Sequence, residues 1–439
     1  MIDLCYNPSD EELKGLLSRS MSDDTQVKEI VKEILSTVQK DGDKALFAYE
    51  KKFDGADLST LLVSQEEREE AKQCVSDELK EAIKMAAQNI RTFHVAQVPQ
   101  GEKVSPMEGI ELSRKIVPIQ TVGLYIPGGT APLFSTVLML AIPAKVAGCK
   151  HIVLTTPPSK TGKIHPALIY AADYAGVDTI YKCGGAQAIA ALAYGTKSIE
   201  PVDKIFGPGN RFVTNAKMMV SDTVSIDMPA GPSEVMVVAN PQSNPSYVAS
   251  DFLSQSEHGK DSQSMLVIIA DEIQGRAYMK KVEAAIQEQL ERLPRHEYLL
   301  PSLSHSHAII APTLIKAADI VNKYAPEHLV INLEVPEMLS DLVENAGSIF
   351  LGPWSCESAG DYASGTNHTL PTMGWARSNS GVSTDSFIKK ITVQKLSQKG
   401  LSNLAKTITT MAEGENLSAH ANAVYVRLEE AKNERITQK

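Results

Sequence analysis

The sequence predicts an α/β fold with two doubly wound, incompletely Rossmann-like domains of parallel strands and small helical parts at both termini. Three apolar runs in the middle of the chain, residues 121–126, 151–156 and 178–182, have the length and side-chain types of buried strands. A helical pattern follows each of them, and a second series of such runs begins at residue 235. Alternation of strands with helices is typical of parallel sheets, because each helix crosses over between two strands of the same direction.

The composition is that of an ordinary globular protein with an acidic surface. The chain has 439 residues, of which 43% are hydrophobic and 22% charged, and its formal net charge is −10. At roughly 100–200 residues per domain, this length predicts between two and four domains. The acidic balance gives no support to a nucleic-acid partner. No apolar run approaches the ~20 residues that a membrane span needs, so we expect neither nucleic acid nor membrane as a partner.

Cysteine usage and the first residues favour the cytoplasm. The five cysteines are widely spaced and include no Cys-x-x-Cys pair. This pattern favours neither a disulfide framework nor a cysteine zinc site, and it fits a reducing compartment. The N-terminus lacks the basic and apolar segments of a signal peptide. We therefore expect a cytoplasmic protein.

The N-terminal part is predicted to be helical. Apolar residues recur at helical spacing in residues 27–38 and again in residues 79–93. Residues 22–24 supply cap candidates for the first of these helices, and Gly42 supplies a candidate end. Both apolar stripes are typical of helices that pack on a core, and no chemistry is inferred from them.

A second α/β part follows the first. The runs 235–239, 264–269 and 348–351 are predicted strands, and residues 276–293 are a predicted helix. Beyond about residue 380 the chain is predicted to be a polar, helical tail.

Glycine-rich turns end three of the predicted strand regions, at residues 127–129, 184–187 and 207–210. Glycine allows the backbone to approach a ligand closely, and the carboxyl ends of parallel strands are where α/β proteins bind nucleotides. However, neither G-x-G-x-x-G nor G-x-x-x-x-G-K-[ST] is present. From the residues alone, nucleotide binding and ordinary strand–helix turns both remain open.

Two short segments carry candidate chemistry. Gln255 and His258 are three positions apart, so on a helix they share a face. An imidazole with a nearby oxygen can hold zinc, although an amide is an uncommon ligand and a hydrogen-bonded histidine is the simpler interpretation. Glu327 and His328 offer a carboxylate beside an imidazole that suits general-base catalysis. The alternative is that Pro326 and Glu327 begin a helix.

Three further polar residues gain no role from spacing alone. Asp361 lies in a glycine-rich stretch that is poor in core-forming residues and is typical of a loop presenting polar groups. Glu415 and His420 lie in the tail, where solvated helix surface is the simplest interpretation.

Seven motifs, in order along nearly the whole chain, resemble those of the histidinol dehydrogenase family. They occupy residues 122–129, 184–189, 207–210, 227–234, 255–259, 325–329 and 418–420. The resemblance implies a two-step oxidation of L-histidinol through L-histidinal to L-histidine, with zinc and NAD as cofactors. It therefore implies an oxidoreductase of histidine biosynthesis.

The resemblance also assigns roles to residues. Glu327 and His328 would be the catalytic proton-transfer pair. Tyr125, Gln187 and Asn210 would contact NAD. The implied zinc ligands are Gln255, His258, Asp361 and His420, and the implied substrate contacts are Ser233, Gln255, His258, His328, Asp361, Glu415 and His420, with His368 as a further candidate.

Family resemblance further implies a homodimer with exchanged C-terminal parts, in which Glu415 and His420 reach the partner's site. We accordingly predict an N-terminal extension (1–24), a first α/β domain with most of the catalytic residues (25–119 and 236–378), a second α/β domain that binds NAD (120–235) and an exchanged tail (379–439).

Two alternatives compete with this interpretation. Many aldehyde oxidations use a cysteine thiolate, and Cys149 and Cys356 are the candidates, although neither has an evident activating partner. A non-catalytic binding module with the same fold is the other alternative. Such a module is expected to have lost at least one residue of the implied site, whereas here every one is present.

Overall fold

The computed structural model describes residues 2–19, 24–128, 131–229 and 231–437. The proposed cap residues Ser22 and Asp23 and the turn residue Gly129 lie outside the described residues. The chain forms two compact units. The first contains Met1–Gln97 with Ile119–Phe387, and the second contains Val98–Pro118 with Ile388–Lys439.

Strands and helices alternate through most of the chain. The strands are β1 Asp3–Tyr6, β2 Lys103–Val104, β3 Ile110–Pro118, β4 Thr121–Tyr125, β5 His151–Thr156, β6 Thr179–Lys182, β7 Lys204–Phe206, β8 Ser225–Ile226, β9 Glu234–Ala239, β10 Gln263–Ile269, β11 His307–Ala311, β12 His328–Asn332, β13 Ser348–Leu351 and β14 Ile388–Leu396. The helices are α1 Asp10–Leu16, α2 Thr25–Asp41, α3 Asp43–Tyr49, α4 Gln65–Cys74, α5 Asp77–Val95, α6 Phe134–Ala147, α7 Pro166–Ala175, α8 Gly185–Tyr194, α9 Arg211–Val220, α10 Pro245–Ser256, α11 Glu272–Leu290, α12 His296–Leu303, α13 Leu314–Tyr324, α14 Glu337–Ser340, α15 Glu357–Tyr362, α16 Gln398–Gly414 and α17 Ser418–Thr437. A π-helical turn, Glu50–Asp54, continues α3.

The first unit contains a six-stranded parallel sheet in the order β1-β11-β10-β9-β12-β13. Side chains of β9 alternate between two cores. Val235 and Val237 pack with α10 and α11, whereas Met236 and Val238 pack with α1 and α13. Because both faces are covered by helices, these strands are apolar throughout rather than alternating with polar residues.

The same unit contains a five-stranded parallel sheet in the order β6-β5-β4-β7-β8. Helices α5, α6 and α7 pack on one of its faces, and α2, α8 and α9 pack on the other. Both sheets are therefore doubly wound, which confirms the predicted α/β class with parallel strands.

The predicted N-terminal helices correspond to α2 and α5. Asp24 is the N-cap residue of α2, but its side chain makes no capping hydrogen bond. Its carboxylate instead accepts hydrogen bonds from Arg211 and Asn215, at 2.8 and 3.1 Å. Gly42 ends α2 with a φ of 56°, a conformation that glycine adopts without strain.

Several strands were not predicted from the sequence. The N-terminal extension includes β1 as well as α1, and β1 lies at an edge of the six-stranded sheet, where it pairs with β11. In the second unit, β14, β3 and β2 form an antiparallel sheet, and β14 occupies part of the tail that was expected to be helical. Polar residues dominate β14 because most of its side chains are exposed. The rest of the second unit is the helix pair α16 and α17.

Candidate active site

The principal polar cluster of the first unit lies at the amino ends of β9 and β12. Glu327 directly precedes β12, and His328 is its first residue. Helix α10 runs back along the sheet after β9, so Gln255 near its C-terminal end returns to the same edge. This edge is opposite to the carboxyl edge at which α/β sheets usually bind ligands.

Hydrogen bonds from side chains to backbone atoms hold the central residues in place. The backbone N–H of Glu234 donates to Oε2 of Glu327 at 2.8 Å. Gln255 Nε2 donates to the backbone oxygen of Glu234 at 3.3 Å and lies 3.1 Å from Nδ1 of His328. His328 Nδ1 also lies 3.2 Å from that same backbone oxygen. The first residue of β9 therefore contacts all three side chains.

Gly347 permits close packing at this point. A Cβ atom there would lie 2.5 Å from the backbone oxygen of Glu327. The backbone N–H groups of Gly347 and Ser348 donate to the carbonyls of Pro326 and Glu327, both at 2.9 Å. The loop that carries Glu327 is thus fixed by main-chain hydrogen bonds from Gly347 and Ser348 and by the hydrogen bond from Glu234 to the Glu327 side chain.

A second group of charged residues lies next to His328. Ligand atoms of His258, Glu357 and Asp361 all lie within 4.8 Å of one another. Asp361 Oδ1 is 3.3 Å from Nε2 of His328, and Glu357 accepts a hydrogen bond from Ser254 at 3.0 Å. The cluster contains two carboxylates and an imidazole at its centre, a donor set that suits a divalent cation.

Glu357 was missed by the sequence analysis. Its side chain is only 1% exposed, and it lies four residues before Asp361 on α15, on the same face of that helix. A Glu and an Asp four residues apart could have indicated, from the sequence alone, two carboxylates on the same face of a helix. The stretch containing Asp361 was interpreted as a loop, and part of it is the short helix α15.

Burial and charge shift the pKa values of this cluster strongly. Burial raises the pKa of Glu327 to about 8 and that of Glu357 to about 8. Burial would lower the pKa of His328, but the carboxylates of Glu327, Glu357 and Asp361 outweigh it and raise the pKa to about 10. Ionised carboxylates are therefore unfavourable at this buried place unless a positive charge, such as protonated His328 or a bound cation, lies beside them.

Unsatisfied atoms support the presence of a ligand at this cluster. Gln255 Oε1, His328 Nε2 and Asp361 Oδ1 are buried without a well-formed hydrogen bond among the described residues, although the last two atoms lie 3.3 Å apart. Unpaired buried polar atoms are costly and rare in native proteins. Together with His258 and Glu357, they provide the nitrogen and oxygen donors that zinc binds. The residues present thus fit a zinc ion.

Ser233 and His368 lie around the cluster. Ser233 directly precedes β9, is half-buried, and its carbonyl accepts from the backbone N–H of Gln263 at 3.1 Å. His368 Nδ1 contacts the backbone oxygen of Asp361 at 2.9 Å, and Nε2 contacts Oγ1 of Thr136 at 3.0 Å. Thr136 belongs to α6, so His368 connects the polar cluster to the helix that follows β4.

The glycine-rich turns lie elsewhere, at the carboxyl edge of the five-stranded sheet. Gly207 has a φ of 124°, and a Cβ atom there would clash with the backbone of Tyr125. Asn210 is exposed and caps α9, since its Oδ1 accepts from the backbone N–H groups of Phe212 and Val213 at 3.0 and 3.2 Å. The turns thus bring Tyr125 and Asn210 to the same edge.

A buried carboxyl supports Gln187 at this edge. Glu50 Oε1 accepts from Gln187 Nε2 at 2.9 Å and from the backbone N–H of Gly184 at 3.1 Å. The Tyr125 hydroxyl accepts from the N–H of Gly185 at 3.2 Å. Burial raises the pKa of Glu50 to about 7. Glu50 was not singled out by the sequence analysis.

A cavity of about 640 Å³ adjoins these turns. Its lining includes Asp54 from the π-helical turn, Gly128, Pro157 and Lys160. Cavities of roughly 300–1,000 Å³ hold small-molecule ligands and cofactors.

Glu415 and His420 belong to the second unit. Glu415 directly follows α16, and His420 lies in the first turn of α17. Both side chains are exposed.

The cysteines show no sign of an activated nucleophile. Burial raises the pKa of the Cys149 thiol to about 12, and this thiol lies 3.8 Å from the backbone oxygen of Phe387. Such a group is inert at neutral pH. Cys356 is exposed and directly precedes α15. The cluster around His328 is therefore the stronger candidate for the reacting centre.

Two doubly wound sheets, a buried imidazole–carboxylate pair and a cluster of nitrogen and oxygen donors define an α/β protein with a candidate site for proton transfer and for a cation. The family model for histidinol dehydrogenase matches residues 17–428. The chain belongs to the histidinol dehydrogenase family, whose members are oxidoreductases of histidine biosynthesis. The resemblance inferred from the seven motifs is thereby confirmed.

Relatives from bacteria and a plant are similar over nearly their full length. A histidinol dehydrogenase of Bacteroides thetaiotaomicron is 52% identical over 429 residues, covering 98% of this chain and 99% of the relative. A chloroplastic histidinol dehydrogenase of Arabidopsis thaliana is 48% identical, covering 96% of this chain and 90% of the relative. The crystal structure of histidinol dehydrogenase from Elizabethkingia anophelis has a TM-score of 0.95 at 48% identity, covering 98% of this chain and 99% of that chain.

Proposed function

We propose that this protein oxidises L-histidinol to L-histidine through L-histidinal, with zinc and two successive NAD molecules as cofactors. The observation that carries the proposal is the convergence of Gln255, His258, Glu327, His328 and Asp361 at one edge of the six-stranded sheet. Family membership supports the substrate, and the donor cluster supports the metal.

Gln255, His258 and Asp361 would hold the zinc, and His420 would complete the ligand set. Zinc, when bound, holds the donor groups of the substrate and stabilises negative charge that develops on its oxygen. Glu357 adds a buried carboxylate beside the ligands, either as a direct contact to the ion or to a cationic group of the substrate. Ser233 and Glu415 would contact the substrate, with His368 next to them.

In the alcohol step, His328 would accept the hydroxyl proton while the carbon-bound hydrogen leaves as hydride to NAD. The imidazole must be neutral to do so, and the positive charge of an ion bound near Asp361 would oppose its protonation. The short contacts to Gln255 and to the backbone oxygen of Glu234 hold the ring in place.

In the aldehyde step, Glu327 would take a proton from water, and the resulting hydroxide would add to the carbonyl to give the anion of the hydrate. That anion would transfer the second hydride to a second NAD and become the carboxylic acid, which would release its proton to solvent as the carboxylate. The raised pKa of Glu327 makes it a stronger base than an ordinary glutamate. Tyr125, Gln187 and Asn210, at the edge of the cavity-bearing sheet, would contact NAD.

A homodimer with exchanged C-terminal parts follows as a proposal from the same family membership. Glu415 and His420 are exposed and lie in the second unit, and we propose that they complete the site of the partner subunit. Residues 236–378 would form most of the catalytic domain and 120–235 most of the NAD domain. Residues 25–119 were predicted to belong to the catalytic domain, but their helices α2 and α5 pack on the five-stranded sheet. We propose a cytoplasmic location. None of the described helices is both long and apolar enough to cross a membrane.

Formation of NADH on mixing the zinc-loaded protein with L-histidinol and NAD tests the activity. We expect two NADH per histidinol consumed, with histidine as the product. One NADH per histidinol would contradict the two-step reaction, and no NADH would contradict the activity itself. Metal analysis of the purified protein is expected to give one zinc per subunit.

Mixing of inactive subunits tests the shared site. His258→Ala and His420→Ala homodimers should each be inactive, whereas mixed dimers should recover part of the wild-type activity, because one of their two sites has a full ligand set. Mixed dimers that form but remain inactive would contradict sharing across the dimer.

A further inference from the structure

Arg19 makes a buried ion pair directly behind the catalytic cluster. Its Nε and Nη2 atoms donate to the two carboxylate oxygens of Glu234, at 2.5 and 2.9 Å. The side chains are only 12% and 2% exposed, respectively. A two-point contact between guanidinium and carboxylate fixes distance and orientation together. Neither residue was assigned a role by the sequence analysis.

The backbone of Glu234 is the element that contacts the proposed catalytic pair. Its N–H donates to Glu327, and its carbonyl oxygen lies at hydrogen-bonding distance from His328 and Gln255. Its side chain, which accepts from the backbone N–H of Met373 at 3.0 Å as well as from Arg19, therefore fixes the position of these backbone groups. A displacement of Glu234 would move the hydrogen-bond partners of Glu327 and His328 together.

Arg19 also holds the segment that leads into Glu327. Nη2 donates to the carbonyl of Tyr324 at 2.9 Å, and the guanidinium lies 4.0 Å from the centre of the Tyr324 ring. The next residue, Ala325, has a φ of 55°, a conformation that costs a non-glycine residue energy. Contacts on the preceding residue help to maintain that conformation, two positions before Glu327.

A further hydrogen-bond chain runs from the same ring toward Ser233. The Tyr324 hydroxyl donates to Oε1 of Gln263 at 2.8 Å, and the backbone N–H of Gln263 donates to the carbonyl of Ser233 at 3.1 Å. The Arg19 guanidinium thus contacts the first residue of β9 and the segment that precedes β12. Through Tyr324 it is also connected to Gln263, the first residue of β10.

We propose that Arg19 is a positioning residue for the oxidation, acting through Glu234 and Tyr324 on Glu327 and His328. The inference rests on the proposed roles of Glu327 and His328. Arg19 touches neither of these side chains in the described contacts, so its loss should misplace the proton-transfer groups while leaving the NAD edge of the other sheet unchanged. Misplacement by about 1 Å costs a rate of the order of 10²-fold.

Arg19→Ala tests the proposal by steady-state kinetics and chemical rescue. We expect kcat with L-histidinol to fall about 10²-fold, the KM for NAD to stay within about twofold, and added ethylguanidinium to restore at least part of kcat in a saturable manner. Arg19→Lys, which keeps the charge but not the two-point contact, should lie between the wild type and Arg19→Ala.

Arg68→Ala is the matched control. Arg68 forms a comparable pair with Asp173 at 2.5 Å, with both side chains 15% exposed, and also donates to the backbone oxygen of Asp178. Its loss should lower the melting temperature without lowering kcat, and ethylguanidinium should not change the rate.

The outcomes separate this inference from the proposed function. Wild-type protein that makes no NADH would overturn both. Active wild type with unchanged kcat in both Arg19 variants would overturn the positioning role alone, as would a kcat loss in Arg19→Ala that ethylguanidinium does not rescue. If Arg19→Ala does not fold, Arg19→Lys decides: a lowered kcat at wild-type melting temperature supports the role, and an unchanged kcat overturns it.

Discussion

The two parallel sheets of the first unit present different kinds of site at opposite kinds of edge. The six-stranded sheet gathers polar and charged side chains, most of them buried, at the amino ends of β9 and β12, from four separated segments of the chain. The five-stranded sheet presents glycine turns, a helix cap and a cavity at its carboxyl edge. The first arrangement suits proton transfer and metal binding, and the second suits a cofactor held largely by backbone turns.

Two sheets of the same doubly wound type can therefore carry different kinds of site. Turn glycines at a carboxyl edge can be recognised locally, because they directly follow their strands. At the amino edge, Gln255 arrives only because α10 runs back along the sheet, and Asp361 arrives on α15. We expect mutations at the two edges to separate into effects on chemistry and effects on cofactor binding or stability.

The largest expected effect is that of His328→Asn. Loss of the proposed base should lower kcat by about 10²–10⁴-fold, with zinc content and the KM for NAD near wild-type values. Steady-state kinetics with parallel metal analysis checks this. A comparable loss of zinc would assign His328 to the metal rather than to proton transfer.

Glu327→Gln should separate the two oxidation steps. Because Glu327 is proposed to activate water, oxidation of L-histidinal should slow by about 10²-fold, more than conversion of L-histidinol to the aldehyde. Single-turnover measurements that start from each substrate provide the comparison. Equal loss in both half-reactions would contradict water activation.

Glu357→Gln tests the carboxylate that the sequence analysis missed. Removal of one negative charge beside His258 and Asp361 should weaken zinc binding by about 10–100-fold, measured by competition with a chelator. Asp361→Asn, which removes a proposed direct ligand, should weaken it at least as much. Unchanged zinc affinity in Glu357→Gln would leave Glu357 as a substrate contact only.

Glu50→Gln has the smallest expected effect on the chemistry and reports on the other edge. The pKa of Glu50 is raised by burial from 4.5 to about 7, so the folded protein binds more protons than the unfolded chain between these values. Wild-type stability should therefore fall as the pH rises from about 4.5 to 7, by on the order of 2–3 kcal/mol from this group.

Since glutamine does not titrate, the Glu50→Gln variant should lose this part of the pH dependence while kcat with saturating NAD stays near wild type. Chemical denaturation at pH 5 and pH 8 measures the difference, with Glu297→Gln, an exposed position, as the control. A kcat loss as large as that of His328→Asn would contradict the separation of the two edges.

Local sequence patterns predicted about half of the strands and fewer than half of the helices that the structure describes in the first unit. The runs at 121–126, 151–156 and 235–239 correspond to β4, β5 and β9, because a parallel strand buried on both faces is apolar throughout. The short strands β1 and β2 were not predicted because they contain no long apolar run. Strand β14 was not predicted because most of its residues are polar and exposed. Their pairing depends on partners far away in the sequence.

For the site, the sequence by itself determined which side chains were available and, through seven ordered motifs, which family they belong to. It could not determine that Glu357 joins His258 and Asp361, or that the backbone of Glu234 meets Gln255, Glu327 and His328. Only the tertiary structure decided these contacts, because strand order and the return path of α10 set distances between residues that are remote along the chain. The ion pair of Arg19 with Glu234 could likewise not be predicted from the sequence, since 215 positions separate the two residues.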